Sequence, residues 1–326
     1  MKAWKIFLVL IFVVVFAITI SIFFVYKYFN SPSLQKDENF LIKRGENFSV
    51  ILNNLYHHGI VPKGTKTLFF NVAKLTSNKR NIKAGEYIFP KNSSLFDILR
   101  QIETGKVHTR KITFAEGLTN DTIFKIIDKV DGLSGELPPM GDFLEGTLLP
   151  ETYSYIYGDT KVGILKRMQK AMFDFFDKEW AKRSPNLPFN TKQEALSLAS
   201  IVEKETGVPN ERGKVASVFV NRLKKRMRLQ SDPTVMYAFT GGNKDLEREI
   251  RKTDLENVNE YNTYRINGIP KKPICNPGKD AIRSTLNPEN TDYLYFVATG
   301  TGGHNFSSNL KDHNKFVKIY RSVSKN

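Results

Sequence analysis

The stretch Thr191-Lys-Gln-Glu-Ala-Leu-Ser-Leu-Ala-Ser-Ile-Val-Glu-Lys-Glu-Thr206 reads as a single helix. Thr191 with Glu194 three residues on has the form of a capping box, and Gly207 with Pro209 stands where a C-cap and a stop belong. The spacing predicts a helix over 192–206. On it Glu203 and Glu205 lie about 200° apart, so they point to different faces. Glu205 shares its face with Leu198, Ile201 and Val202, whereas Glu203 has Leu196, Ala199 and Ser200. Glu205 therefore has the more apolar surroundings, and a carboxyl there is costly to ionise. A carboxyl kept protonated near neutral pH is what a general acid requires. The alternative is a glutamate at a fraying helix end that turns to solvent or pairs with Arg212.

Downstream, Asn210 can cap a second helix carrying Val215, Val218, Phe219 and Leu223. It leads into Met227–Tyr237, where Gln230, Ser231 and Asp232 interrupt apolar neighbours as the wall of a cleft would. Asp232 before Pro233 is equally suited to be a helix N-cap. Upstream, Ile164, Leu165, Met168, Ala171, Met172, Phe175 and Phe176 form the apolar stripe of another helix, which the prolines of 184–188 end. Gly132, Gly135, Pro138, Pro139 and Gly141 mark a boundary or a functional loop. Nearer the N-terminus a strand-then-helix theme recurs three times: Phe40–Gly45 with Phe48–Leu55, Gly85–Pro90 with Leu95, Ile98, Leu99 and Ile102, and Lys111–Phe114 with Ile123, Ile126 and Ile127. The fold class expected is α+β.

Ile6 to Tyr26 is a run of 21 residues without a charge, as a helix about 30 Å long, which predicts a membrane span. Lys2 and Lys5 precede it, favouring a cytoplasmic N-terminus and an extracytoplasmic remainder, on a single pass through the plasma (inner) membrane. A cleaved signal peptide is the alternative, but residues 28–32 offer no small-residue cleavage site. Ser31–Glu38, short and polar with one proline, reads as part of a tether. The 326 residues carry 40% hydrophobic side chains, with 24 Phe and 13 Tyr, which excludes a disordered or collagenous chain. The single cysteine, Cys275, excludes an intramolecular disulfide. Of the net charge of +16, +13 lies after residue 30. Outside the membrane that charge meets anionic lipid or anionic wall polymer rather than nucleic acid, and a merely solvated lysine-rich surface explains it equally well.

The segments Ile201-Val-Glu-Lys-Glu-Thr206, Val215-Ala-Ser-Val-Phe-Val-Asn-Arg-Leu223, Arg228-Leu-Gln-Ser-Asp-Pro-Thr-Val235 and Tyr261-Asn-Thr-Tyr264 together resemble the MltG (YceG-like) family of membrane-anchored endolytic murein transglycosylases. The likeness extends back to Glu145-Gly-Thr-Leu-Leu-Pro-Glu-Thr-Tyr153 and forward through Asn276-Pro-Gly278, Tyr293–Val297 and Gly302–Leu310 to His313 and Asn314. It implies a chain of six parts: a cytoplasmic N-terminus (1–5), an anchor (6–26), a tether (27–38), a LysM-like wall-binding region (39–110), a connecting region (111–187) and a catalytic domain (188–326). Small strand–helix units occur in LysM modules and in generic α+β spacers alike.

The family's catalytic glutamate falls on Glu205, which the helical-face argument also selects. The implied reaction cuts the bond between N-acetylmuramic acid and N-acetylglucosamine within nascent strands and leaves 1,6-anhydro ends, which would terminate strand elongation. It needs one carboxyl that serves first as acid and then as base toward the muramyl C6 hydroxyl, with no cofactor and no metal. Gln230, Asp232, Tyr261, Asn262 and Tyr264 are candidates for sugar contacts. Glu145 and Glu151 either line the cleft or pin a domain junction, and His304 and Asn309 join the candidates for substrate contact. His304 and His313 lack the spacing of a metal-ligand pair. Synthases are the protein partners the resemblance suggests. The rival readings are a hydrolase with the same substrate and a non-catalytic wall-binding scaffold for those synthases.

Overall fold

The structure, a computed structural model, describes residues 2–77, 82–242 and 248–323. The chain divides into two compact units, residues 1–110 with 154–159, and residues 111–153 with 160–326.

In the first unit helix α1 (Lys2–Asn30) is long and apolar enough to cross a membrane, and its large apolar side chains from Trp4 to Phe24 are exposed. Its last turn behaves differently. Phe29 is fully buried, with its ring 6.3 Å from that of Phe69 and 5.2 Å from that of Phe96. The stretch expected to be a tether is likewise held in place: Leu34 is buried, Ser33 N donates to Ser93 O, and Lys91 N donates to Asp37 Oδ1 at 2.7 Å. Burial of Phe29 and Leu34 outweighs the freedom that a polar composition suggests. Helix α1 thus runs into this unit without a loose linker.

Strand β1 (Glu38–Ile42) is followed by α2 (Phe48–His57), α3 (Lys66–Thr76), β2 (Gly85–Phe89) and α4 (Leu95–Glu103). β1 and β2 pair antiparallel, Glu38 opposite Phe89 and Ile42 opposite Gly85. The first two expected strand–helix units are therefore halves of one β-α-α-β element plus α4. Phe40, Ile42, Tyr87 and Phe89 lie on the buried face of the strands, against Ile51, Leu52 and Leu55 of α2 and Ile98 of α4. Asn47 caps α2, and Ser94 with Asp97 forms a capping box on α4.

The second unit takes up the chain within β3 (Arg110–Thr113) and continues through α5 (Asn120–Asp128), β4 (Thr152–Tyr155), α6 (Lys161–Trp180), α7 (Lys192–Glu205), α8 (Arg212–Lys224), α9 (Asp232–Thr240), α10 (Lys252–Glu256), α11 (Lys279–Leu286), β5 (Tyr295–Ala298), β6 (His304–Ser307) and α12 (Leu310–Val323). The capping box of Thr191 and Glu194 starts α7. α7 is central: Ala195, Leu198, Ala199, Ile201 and Val202 are fully buried, in one core with Val215, Phe219, Ile282 and Leu286. Residues 111–187, expected to connect, supply Leu149, Met172 and Phe176 to the same core. Even the serines of α7 are enclosed, Ser197 Oγ donating to Pro270 O at 2.7 Å and Ser200 Oγ accepting from Ile274 N at 3.0 Å. Asn210 does not cap α8; a short 3-10 turn over Pro209–Glu211 leads in, and Glu211 takes the cap position. Gly146 is confined by its surroundings: φ is +83°, and a Cβ there would stand 2.6 Å from the Pro273 ring.

Candidate active site

The end of α7 sets the geometry. Thr206 turns extended, and its hydroxyl accepts from Val208 N at 3.0 Å, so the helix stops with Glu205 in its last position. Burying Leu198, Ile201 and Val202 is worth roughly 2 kcal/mol each. Together these outweigh the few kcal/mol, roughly 1–3, that burying one polar group costs in proteins, so core packing can hold an acidic side chain in dense protein.

Both glutamates near the helix end are enclosed, and their partners set them apart. Glu203 Oε2 accepts from Gly278 N at 2.9 Å, and Oε1 lies 3.5 Å from Nη2 of buried Arg212, which also reaches Glu116 at 3.2 Å. Arg212 thus pairs with Glu203 and leaves Glu205 alone. Glu205 receives a single side-chain donor among the described residues, the Ser231 hydroxyl, at 2.5 Å on Oε1. Burial is the largest influence on Glu205 and, with the nearby Asp232 charge, pushes its pKa up to about 7, against smaller opposing effects of Ser231 and Arg222.

Ser231 is itself fixed by a buried network. Its N–H donates to Thr263 Oγ1 at 2.8 Å, its carbonyl accepts from Thr234 Oγ1 at 2.6 Å, and the Thr234 and Thr263 hydroxyls are 2.9 Å apart. Gln230 precedes it at φ +49°, a left-handed conformation that costs a non-glycine residue about 1–2 kcal/mol and turns the chain so that Ser231 faces inward. From α8, buried Arg222 gives Nε to Leu294 O and Nη1 to Leu229 O, both at 2.7 Å, and its charge is felt at Glu205. Asp232, exposed at the start of α9 rather than in the cap position, accepts from the Tyr264 hydroxyl at 2.6 Å. Glu205, Ser231, Asp232, Tyr264 and Arg222 thus form one polar cluster.

The other expected site residues lie elsewhere. Glu145 and Tyr261 line a cavity of about 640 Å³ whose walls include Phe143, Leu144, Phe173 and Tyr237. Glu145 accepts from Asn120 N at 3.0 Å and Asn276 Nδ2 at 3.2 Å, yet burial still pushes its pKa up to about 7. It pins loops and lines a cavity at once. Glu151 is exposed and pairs with Lys279 at 3.0 Å. Asn262 is fully buried; its Nδ2 donates to the carbonyls of Asp254, Leu255 and Asn257, and its Oδ1 accepts from Tyr264 N, so its amide has no edge left for a sugar. Asn309 caps α12 through Asp312. His304 is held by Glu211, Nδ1 at 2.7 Å and N–H at 2.8 Å, where a Cβ on Gly303 would stand 2.6 Å from Glu211 Oε1. His313 stacks on Tyr295 with ring centres 5.1 Å apart. Asn262 is therefore a structural residue in place of an expected ligand contact, while Asn309 and His304 are each engaged with a neighbouring acid. Asn262→Ala is expected to destabilise the fold by about 3 kcal/mol, since a fully buried amide loses its bonds to three backbone carbonyls and to Tyr264 N; a urea unfolding curve measures it, and a loss under 1 kcal/mol would contradict that role.

Ser231, Thr263 and Arg222 are the cluster members the site reading of the sequence leaves out. Their one sequence signal is small or charged polar residues set among apolar neighbours.

The YceG-like family matches residues 40–319. A relative from Bacillus subtilis named endolytic murein transglycosylase is 41% identical over 184 residues, 56% of this chain and 49% of the relative. One of the same name from Streptococcus pneumoniae is 30% identical over 320 residues, 85% of this chain and 57% of the relative. The chain thus spans about half the length of the curated relatives it matches. The crystal structure of a YceG-like protein from Listeria monocytogenes is similar with a TM-score of 0.51 and 31% identity, covering 86% of this chain and 99% of that one.

Proposed function

The chain belongs to the YceG-like family, and from that premise we propose that it is an endolytic lytic transglycosylase acting on peptidoglycan strands, with Glu205 as its acid and base. The observation that carries this is the state of Glu205: a carboxyl with a pKa pushed up to about 7, one hydroxyl donor on Oε1, and no side-chain bond on Oε2 among the described residues.

Because Ser231 gives its hydrogen to Oε1, the acid's own proton belongs on Oε2. From there it passes to the oxygen between N-acetylmuramic acid and N-acetylglucosamine as that bond breaks. The resulting carboxylate takes the proton of the muramyl C6 hydroxyl, whose oxygen closes on C1 and gives the 1,6-anhydro ring. No water is consumed, and no second carboxyl is needed as nucleophile. Asp232, oriented by Tyr264, adds negative charge beside the cationic transition state and helps to keep Glu205 protonated beforehand. The exposed Gln230 side chain lies beside them for sugar contact.

The same reading makes the first unit a LysM-like wall-binding module, supported by its β-α-α-β order and antiparallel strands. It makes α1 a single-pass anchor with the N-terminus inside, supported by Lys2 and Lys5 ahead of the apolar run. Confined to the membrane surface, the cleft meets new strands where synthases release them, at a raised effective concentration.

Mass spectrometry of the products from the full chain in detergent with uncrosslinked strands tests the reading. Anhydromuramic ends are expected; reducing ends would make the protein a hydrolase, and bound but uncut strands would make it a scaffold. The full chain is used because cutting before Ser31 would take Phe29 out of the core. Ser231→Ala is expected to slow cleavage about tenfold, the worth of one hydrogen bond to a charged group. It also moves the alkaline limit of activity to higher pH, because the lost donor favoured the ionised carboxyl. A slower enzyme with an unmoved pH limit would separate Ser231 from Glu205.

A further inference from the structure

Beside the Glu205 cluster lies a second cavity, of about 620 Å³, within the size range of small-ligand sites. One wall is a face of α9, Pro233, Met236 and Thr240; another is formed by Thr119 and Thr122 at the start of α5; Lys204 stands in it. The cavity adjoins the cluster on both sides: Lys204 precedes Glu205, and Pro233 follows Asp232. Among the described residues that line it there is no carboxylate. Lys204 is exposed and has no ion pair or hydrogen bond among the described residues. A cation with hydroxyls around it, and no carboxylate among the described lining residues, suits an anionic, hydrogen-bonding ligand.

The substrate class of the proposed reaction supplies one. The muramyl ring whose C1 meets Glu205 bears, two ring carbons away at C3, a lactyl ether extended by a peptide that carries carboxylates. We propose that this cavity receives that peptide and that Lys204 pairs with one of its carboxylates, so that the enzyme distinguishes peptide-bearing from bare strands. The inference rests on the transglycosylase reading, which places the muramyl C1 at Glu205.

The test uses the full chain carrying Glu205→Gln, which binds without turnover, and two preparations of uncrosslinked strands, one with peptides intact and one stripped of them by an amidase. Lys204→Ala is expected to raise the Kd for peptide-bearing strands about fivefold, the worth of one solvent-accessible ion pair, and to leave the Kd for stripped strands unchanged. Lys204→Glu raises the first further, and 0.5 M salt removes the difference between Lys204 and Lys204→Ala. A change in both Kd values alike, or in neither, overturns the role of Lys204 while leaving the transglycosylase reading intact. Failure of the Lys204 protein to bind either strand overturns that reading, and this proposal with it.

Discussion

Glu205→Gln is expected to reduce the formation of anhydromuramic ends by about three orders of magnitude, within the range of a lost general acid, and to leave strand affinity and unfolding temperature close to those of the parent chain. The amide is nearly isosteric with the acid, and its oxygen still accepts the 2.5 Å bond from Ser231. It has no proton to give to the leaving oxygen and no basic site for the C6 hydroxyl. Glu203→Gln is the counterpart that makes the result specific. There the charge balances Arg212, which is buried and whose Nε already lacks a partner among the described residues, so the expected damage is to stability. Product analysis and thermal unfolding of the two variants side by side decide the assignment. If Glu203→Gln abolished turnover in a folded protein and Glu205→Gln did not, the acid would be Glu203. If neither affected it, the cluster at the end of α7 would not be the active site.

Local signals along the chain are legible in the sequence, and pairings across it are not. The capping box at Thr191 and Glu194 marks the start of α7 within a single turn, and the helical-face argument leads to Glu205, although the groups that act on its pKa, Ser231, Asp232 and Arg222, come from outside α7. That argument understates Glu203: burial pushes its pKa up as well, with the Glu116 charge adding to the rise, and Gly278 N and Arg212, which oppose it, also reach it from outside its own helix. Ser231 stands in plain view beside Gln230 and Asp232, but its role depends on the left-handed turn at Gln230 and on Thr263, 32 residues on. Asn262, Asn309 and His304 offer the functional groups that bind sugars. What they bind instead is backbone or a neighbouring acid, and a polar residue's spacing carries no record of which partner wins. The tether differs for the reverse reason: its composition is polar and proline-bearing, while Phe29 and Leu34 within it decide its docking. Likewise β1 and β2 read as two repeats because their antiparallel pairing spans two intervening helices.

Turnover is expected to be flat below about pH 6 and to fall roughly tenfold per unit above pH 7, because only the protonated form of Glu205 can donate. Glu145 shares the same raised pKa of about 7, so the profile alone does not identify its owner. Stability separates the two. A carboxyl whose pKa is raised in the fold holds its proton more tightly there than in the unfolded chain. Its contribution is fully present below the ordinary glutamate value of 4.5, is lost as pH rises through 7, and changes no further above it. For a rise of this size the loss is on the order of 3 kcal/mol. Glu145→Gln stays neutral throughout, so its stability relative to the parent should increase between pH 5 and pH 8 by up to that amount, measured by urea unfolding at each pH. Its cleavage should keep the parent's alkaline limit, since Glu145 lies in the cavity with Tyr237 and Tyr261 and outside the Ser231 cluster. An alkaline limit that moved in Glu145→Gln, with the pH dependence of stability unchanged, would transfer the acid's role to Glu145 and make the 640 Å³ cavity the reaction site.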